Sequence, residues 1–298
     1  MKRKLVRQGA ATMMISLPSK WIKENGFGKG DELELEPRGR DIILSSGGNS
    51  VKSQTEINIS SLTESSIRTI VTNAYRLGYD KIIVKFHDAK VIDIIRNVID
   101  NNLLGFEIIS KSVSGCEIEN ITEPSKDQFD NIFSKIFLNI DELFEVAGKM
   151  SGKEIPDFES IEHKIKQFDN FCRRVISKQR FPNSKLQWAF HSELIHAQRE
   201  IYHLLKFLSK NKQGVKSLGL LNDCKKVFQL LKKGYNEKDI SALEKIHELE
   251  KQLVYHHGYN SMKRGSSNSV VLYHLMSAIR GFYLASSPLI GIIVSQEV

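Results

Sequence analysis

Between Phe129 and Ile292 apolar side chains return every three or four positions in six successive runs, and this rhythm constrains the fold more than any other feature of the chain. The first run is Phe129, Phe133, Ile136, Ile140, Leu143, Ala147 and Met150. Ile161, Ile165, Phe168, Cys172 and Val175 form the second, and Phe190, Leu194, Ala197, Ile201, Leu204 and Leu208 the third. Leu221, Cys224, Phe228 and Leu231 follow, then Leu243, Ile246, Leu249 and Leu253, then Val271, Leu275, Ala278, Phe282, Ala285, Leu289 and Ile292. Breaks fall near Ser151–Pro156, Phe181–Ser184, Asn211–Gly214, Gly234–Glu237 and Asn260–Ser267. Seams of this kind pack antiparallel helices into bundles. The spacing predicts an all-helical domain over 125–298, divided into two three-helix units at 126–212 and 214–296. A tandem duplication would produce that layout.

Residues 51–122 carry a different pattern. Leu62 to Leu77 has helical spacing, with Ser60 or Thr63 as cap and Gly78 as stop. Lys81 to Phe86 (KIIVKF) is a strand, Asp88 caps a helix running through Leu104, and Phe106 to Ser110 and Cys116 to Ile121 are strands. The order α-β-α-β-β defines a small α/β unit. Within it, KFHDAK joins a strand end to a helix start beside two lysines, either an anion site or an ordinary βα turn.

Residues 1–48 form a third segment. Arg3 to Arg7 and Thr12 to Leu17 are extended, a helix covers Pro18 to Asn25, and Gly26, Gly28 and Gly30 supply turns. ELELE then alternates strictly, and Pro37 to Arg40 turns the chain into a strand over Asp41 to Leu44. SSGGNS is a linker. A module this small has too little core to stand alone, so dimerisation or packing on the rest of the chain is expected.

The 298 residues carry a net charge of +8. Residues 1–29 hold seven basic residues against Glu24 alone. Local excess of that kind suits phosphate-backbone contacts, although a solvated basic terminus has the same composition. Cys116, Cys172 and Cys224 match no metal or redox spacing and are expected to be buried free thiols in a reducing, cytoplasmic compartment. No signal peptide precedes the first strand, and Gly281 to Val294, interrupted by Pro288, is too short to span a membrane.

Chemical motifs are sparse: no phosphate-binding glycine loop, GxSxG, HExxH or CxxC occurs. Glu193, His196, Glu200 and His203 share one helix face, and Glu244, His247 and Glu248 repeat part of the spacing. Such pairs hold a divalent metal or iron when a facing helix completes the set; the same spacing describes a solvated face of Glu–His and Glu–Arg pairs. The basic N-terminus is more pointed. Lys2, Arg3 and Lys4 lead the first strand, Arg7 lies on it, and Lys20 and Lys23 lie on the following helix. In a dimer these can form one cationic face for double-stranded DNA, arginines reading guanine edges and lysines tracking phosphates.

The stretch RKLVRQGAATMMISLPSKWIKENGFGKGDELELEPRGRDIIL resembles the AbrB/MazE/SpoVT swapped-hairpin DNA-binding domain. That resemblance implies two chains interleaved in one β-barrel, with DNA contacts at Arg3, Arg7, Lys20 and Lys23 and phosphate contacts at Lys2 and Lys4. With TNAYRLGYDKIIV over Thr72 to Val84 and the six seams, the whole layout resembles archaeal phosphate uptake regulators, which join such a head to a PhoU-like tail. The implied fold is multidomain α+β: a swapped-hairpin head, an α/β middle unit and an all-α tail of two three-helix bundles. PhoU-like tails often bind metal clusters through an E/D-x-x-x-D pattern, from which this chain departs: Ile165 stands four residues before Asp169, and Asp141/Glu145 and Glu244/Glu248 end in Glu. The implied function is a homodimeric, cytoplasmic transcriptional regulator linked to phosphate uptake and lacking enzymatic activity. The alternative is an adaptor whose tail contacts a phosphate transporter or kinase and whose head serves to dimerise.

Overall fold

A computed structural model describes residues 2–38, 41–46, 52–60, 63–122, 128–150, 155–178, 183–212, 218–264 and 268–295. The fold is mixed α+β, with small sheets toward the N-terminus and a helical C-terminal region. The chain divides into two units, Met1–Ser53 and Gln54–Val298.

Among its described residues the first unit holds two antiparallel hairpins and one short helix. β1 (Val6–Gln8) pairs with β2 (Thr12–Met14), α1 spans Ser19–Glu24, and β3 (Leu33–Arg38) pairs with β4 (Asp41–Ser46). β1 is shorter than the expected strand, so Lys2, Arg3 and Lys4 precede it. Pro18 is the N-cap of α1, and its carbonyl accepts the Ile22 N–H at 3.0 Å. At the other end Gly26 takes φ +71°, open only at high cost to other residues. There the Phe27 N–H reaches the Ile22 carbonyl at 3.0 Å and the Trp21 and Phe27 rings meet at 5.4 Å, a Schellman stop with its apolar contact. The expected turn at Gly39–Arg40 and the 47–50 part of the linker lie outside the described residues.

In the second unit the chain runs β5 (Gln54–Ile59), α2 (Glu64–Arg76), β6 (Lys81–Phe86), α3 (Val91–Asn102), β7 (Phe106–Ser112) and β8 (Gly115–Asn120). β5 was absent from the sequence-based order. Only Ile59 of QTEINI is buried, and such an edge strand gives a weak pattern. The sheet order is β5-β6-β8-β7, with β5 parallel to β6 and the remaining pairs antiparallel. Ile82, Val84, Phe86, Cys116 and Ile118 face α2 and α3 and form one core with Ile67, Val71, Tyr75, Val91 and Ile95. The opposite face carries a ladder of ion pairs, Lys81 to Glu117 and Glu119 and Lys85 to Glu56.

Thr63 caps α2, accepting from the Ser66 N–H. Asp88 acts otherwise than expected: α3 begins at Val91, and the Asp88 carboxylate takes the Lys90 N–H at 2.8 Å. The helix also stops at Asn102 instead of reaching Leu104, because Leu103 turns extended.

Six rods follow: α4 (Phe129–Lys149), α5 (Glu159–Lys178), α6 (Ser184–Asn211), α7 (Leu218–Glu237), a composite fifth, and α10 (Ser269–Val294). The fifth rod is α8 (Ile240–Glu250), a π-helical stretch Lys251–Gly258, and α9 (Tyr259–Lys263). Apart from the half-buried Phe168 and Leu249, every seam residue named above is buried, and the six rods share one contiguous core. The most extensive helix contact is α6 on α10, which joins the two halves of the bundle. Gly281 makes that approach feasible, since a Cβ there would lie 2.8 Å from the Ala197 Cβ. α5 also packs on α2 and α3, so the α/β layer and the bundle belong to one unit.

Pro288 does not interrupt α10. It leaves the Leu284 carbonyl without its helical donor, at a cost of order 3 kcal/mol in an isolated helix. Burial of Ala285, Leu289, Ile292 and Ile293 around it holds the helix together. α10 is long and apolar enough to cross a bilayer, but here it is the core helix packed on α6, α7 and α8.

Candidate nucleic-acid interface

The β1–β2 hairpin pairs Arg7 opposite Met13 and Val6 opposite Met14. Arg7 folds over its own turn, one guanidinium nitrogen donating to the Ala10 carbonyl at 2.9 Å. Lys2, Arg3, Lys4 and Arg7 are all exposed, as is Lys20 on α1. Lys20 makes a loose exposed pair with Glu24 at 3.7 Å. Lys23, exposed in the last turn of α1, sits where a cation favours the helix dipole. All six candidate residues therefore present charge to solvent within one small unit.

That unit has no core of its own among the described residues. No described side chain over 2–46 is buried. Leu5, Val6, Met13, Met14, Ile15, Leu35 and Ile42 are exposed, Leu35 at 64% and Ile42 at 67%. Hairpins with one apolar face need a cover, and two-stranded sheets are marginal without one.

The Glu–His stripe on α6 does not converge. Glu200 pairs with His274 of α10 at 2.8 Å, the His203 ring stacks with that His274 at 6.3 Å and borders a cleft with α2 and α5, His196 is exposed, and Glu193 is half-buried. Glu244, His247 and Glu248 are exposed on α8. Asp141 and Glu145 tie α4 to α7 through Lys232 and Lys225. Among the described residues no group of three or more His, Cys, Asp or Glu side chains is placed to hold a metal ion.

The polar side chains that do converge were not singled out from the sequence. Asp169 on α5 is fully buried, with both oxygens on Arg173 Nε at 2.9 and 3.0 Å. His191 Nδ1 lies 3.3 Å from it. Burial alone would raise the Asp169 pKa, but Arg173, His191 and Arg76 hold it below the usual carboxylate range. His191 sits among the rings of Phe129, Phe133 and Phe190, and burial pushes its pKa down against the pull of Asp169. The available signal was an acid and two arginines next to the apolar seam of α5, at Asp169, Arg173 and Arg174. The three cysteines are buried free thiols, and burial raises each pKa, that of Cys116 to about 11. They are not poised as nucleophiles.

No protein-family model matches the chain, and no curated protein or solved structure matches it.

Proposed function

We propose that the chain is a homodimeric, DNA-binding transcriptional regulator whose N-terminal unit contacts double-stranded DNA through Lys2, Arg3, Lys4, Arg7, Lys20 and Lys23. The carrying observation is a single one. The unit exposes these cations and the apolar residues of both hairpins together, with no described side chain buried. A second copy covering the apolar faces would give each unit a core and double the cationic surface, as a two-fold site requires. The protein acts by binding in the cytoplasm, with no covalent chemistry. The link to phosphate supply rests on the resemblance of the N-terminal stretch, of TNAYRLGYDKIIV and of the six seams to the archaeal phosphate uptake regulators.

The test is DNA binding by the full chain, titrated against salt, on its own promoter and on phosphate-transport promoters beside random duplex. Selective binding that falls steeply with salt, by a dimer in sedimentation, is the expected result. A dimer that binds no duplex, or every duplex equally, would favour the adaptor reading, in which the helical region contacts a phosphate transporter or signalling protein.

A further inference from the structure

Three helices of the second unit turn polar faces toward one another and enclose a cleft of about 540 Å³. α2 contributes one stripe, Ser65, Arg68, Thr69, Thr72 and Arg76, at helical spacing. α6 contributes Arg199, Tyr202, His203 and Lys206, and α5 contributes Lys166, Asp169 and Asn170. Five cations line the cleft against one acid, Asp169, whose oxygens are held by Arg173 and His191, one of them also 3.5 Å from Arg76, itself one of the five. Neighbouring acids reach some of the five: Glu64 lies 3.5 Å from Arg68, and Glu162 lies 3.3 Å from Lys166. Arg199 has no hydrogen-bond or ion-pair partner among the described residues, and Lys206 reaches only the Tyr202 hydroxyl at 3.5 Å.

A second observation lies beside the same space. Thr72 borders the cleft at 8% exposure, and its buried hydroxyl has no hydrogen-bond partner among the described residues. A buried unpaired hydroxyl costs about 1–3 kcal/mol, so a ligand that hydrogen-bonds it would recover that cost. The floor is fixed: Asn170 accepts from Arg76 Nε at 2.8 Å and donates to the Asn102 carbonyl at 2.8 Å. Burial together with Arg199 also pushes His203 below its ordinary pKa, as expected where positive charge has accumulated.

We infer that this cleft binds a small phosphorylated molecule carrying two or more phosphoryl groups. Guanidinium groups fit phosphoryl oxygens with paired hydrogen bonds, and hydroxyl and amide donors complete the shell. The volume suits a small ligand. A single phosphate ion would fill little of that volume, Arg199 and Lys206 are the lining cations without an acid partner among the described residues, and the polar lining disfavours an apolar ligand. The assignment rests on residues of 54–298 and is independent of the DNA-binding reading.

The experiment is calorimetry on the full chain with pyrophosphate, ATP, inorganic phosphate, citrate and duplex DNA, repeated on Arg199→Gln, Lys206→Gln and Thr72→Val. The first two change exposed positions of α6, and the third preserves shape while removing the orphan hydroxyl. Pyrophosphate or ATP should bind more tightly than inorganic phosphate or citrate. Each variant should lose about tenfold in affinity or more, with Thr72→Val melting no lower than the parent. No binding of pyrophosphate or ATP up to about 1 mM would overturn the inference. So would binding that the three variants leave unchanged, or citrate binding as tightly as pyrophosphate. A loss of duplex binding in Arg199→Gln with pyrophosphate binding intact would assign the cleft to nucleic acid instead.

Discussion

Arg174 on α5 and Asp80 at the entry to β6 meet at 2.9 Å across 94 positions of sequence. The same guanidinium donates to the carbonyls of Tyr75 at 3.1 Å and Tyr79 at 2.8 Å, and it lies over the rings of Tyr75 and Phe106. It thereby closes the C-terminal end of α2 and the turn into β6. Lys178 reaches the same Asp80 oxygen at 2.5 Å. The phrase TNAYRLGYDKIIV thus has a structural role: its turn is the socket into which α5 docks.

Removing one partner of this pair should be costly. Arg174→Met leaves Asp80 with less compensation and removes a donor from the Tyr75 and Tyr79 carbonyls, the first of which keeps the Gly78 N–H at 3.0 Å, and a loss of about 3–5 kcal/mol is expected. Urea denaturation of Arg174→Met, Asp80→Asn and the double variant should show a double loss smaller than the sum of the single losses. Additive losses would mean that the pair is not coupled.

Gly281 sets the approach of α10 to α6. A Cβ at this position would stand 2.8 Å from the Ala197 Cβ and 3.0 Å from its Cα, both on a helix with little room to retreat. Gly281→Val should cost about 1–3 kcal/mol through overpacking, read as a lower melting temperature by circular dichroism. Gly281→Val combined with Ala197→Gly should recover part of the loss.

His191 makes stability depend on pH. Its folded pKa is lowered by burial, so the unfolded chain takes up a proton more readily. Stability from the neutral ring is therefore full above the unfolded value of about 6.5 and declines as pH falls below it. Asp169, also lowered, adds a loss only further into acid, as pH falls through its folded value. The urea midpoint of the parent should drop between about pH 7 and pH 5, and His191→Gln should flatten that part of the curve. Equal slopes in parent and variant would assign the acid sensitivity to other groups.

Arg7 tests the proposed interface. Among the described residues its one hydrogen bond is the exposed contact to the Ala10 carbonyl. Arg7→Ala should leave melting within about 0.5 kcal/mol of the parent. It should weaken duplex binding, with the slope of log affinity against log salt reduced by about one if the contact is to phosphate. Unchanged affinity at matched salt would remove Arg7 from the contact surface.

The sequence by itself determined where helices run and which side of each is apolar. Phe133, Ile140, Leu194 and Phe282 are buried as the three-and-four spacing dictates, because that spacing puts them on one side of a helix whatever it packs against. It likewise marked KIIVKF as a strand and the three cysteines as buried thiols. Only the tertiary structure decided what those faces meet. The polar stripe of α2 has the spacing of a solvated surface, yet it lines a cleft, because α5 and α6 bring Lys166, Arg199 and Lys206 opposite it. Strand β5 exists through its pairing with β6, and α10 continues through Pro288 through the packing around it. Arg174 and Asp80 carry no mark of each other in the sequence. Periodicity is a local property of the backbone, whereas hydrogen bonds and ion pairs between distant segments depend on their three-dimensional approach.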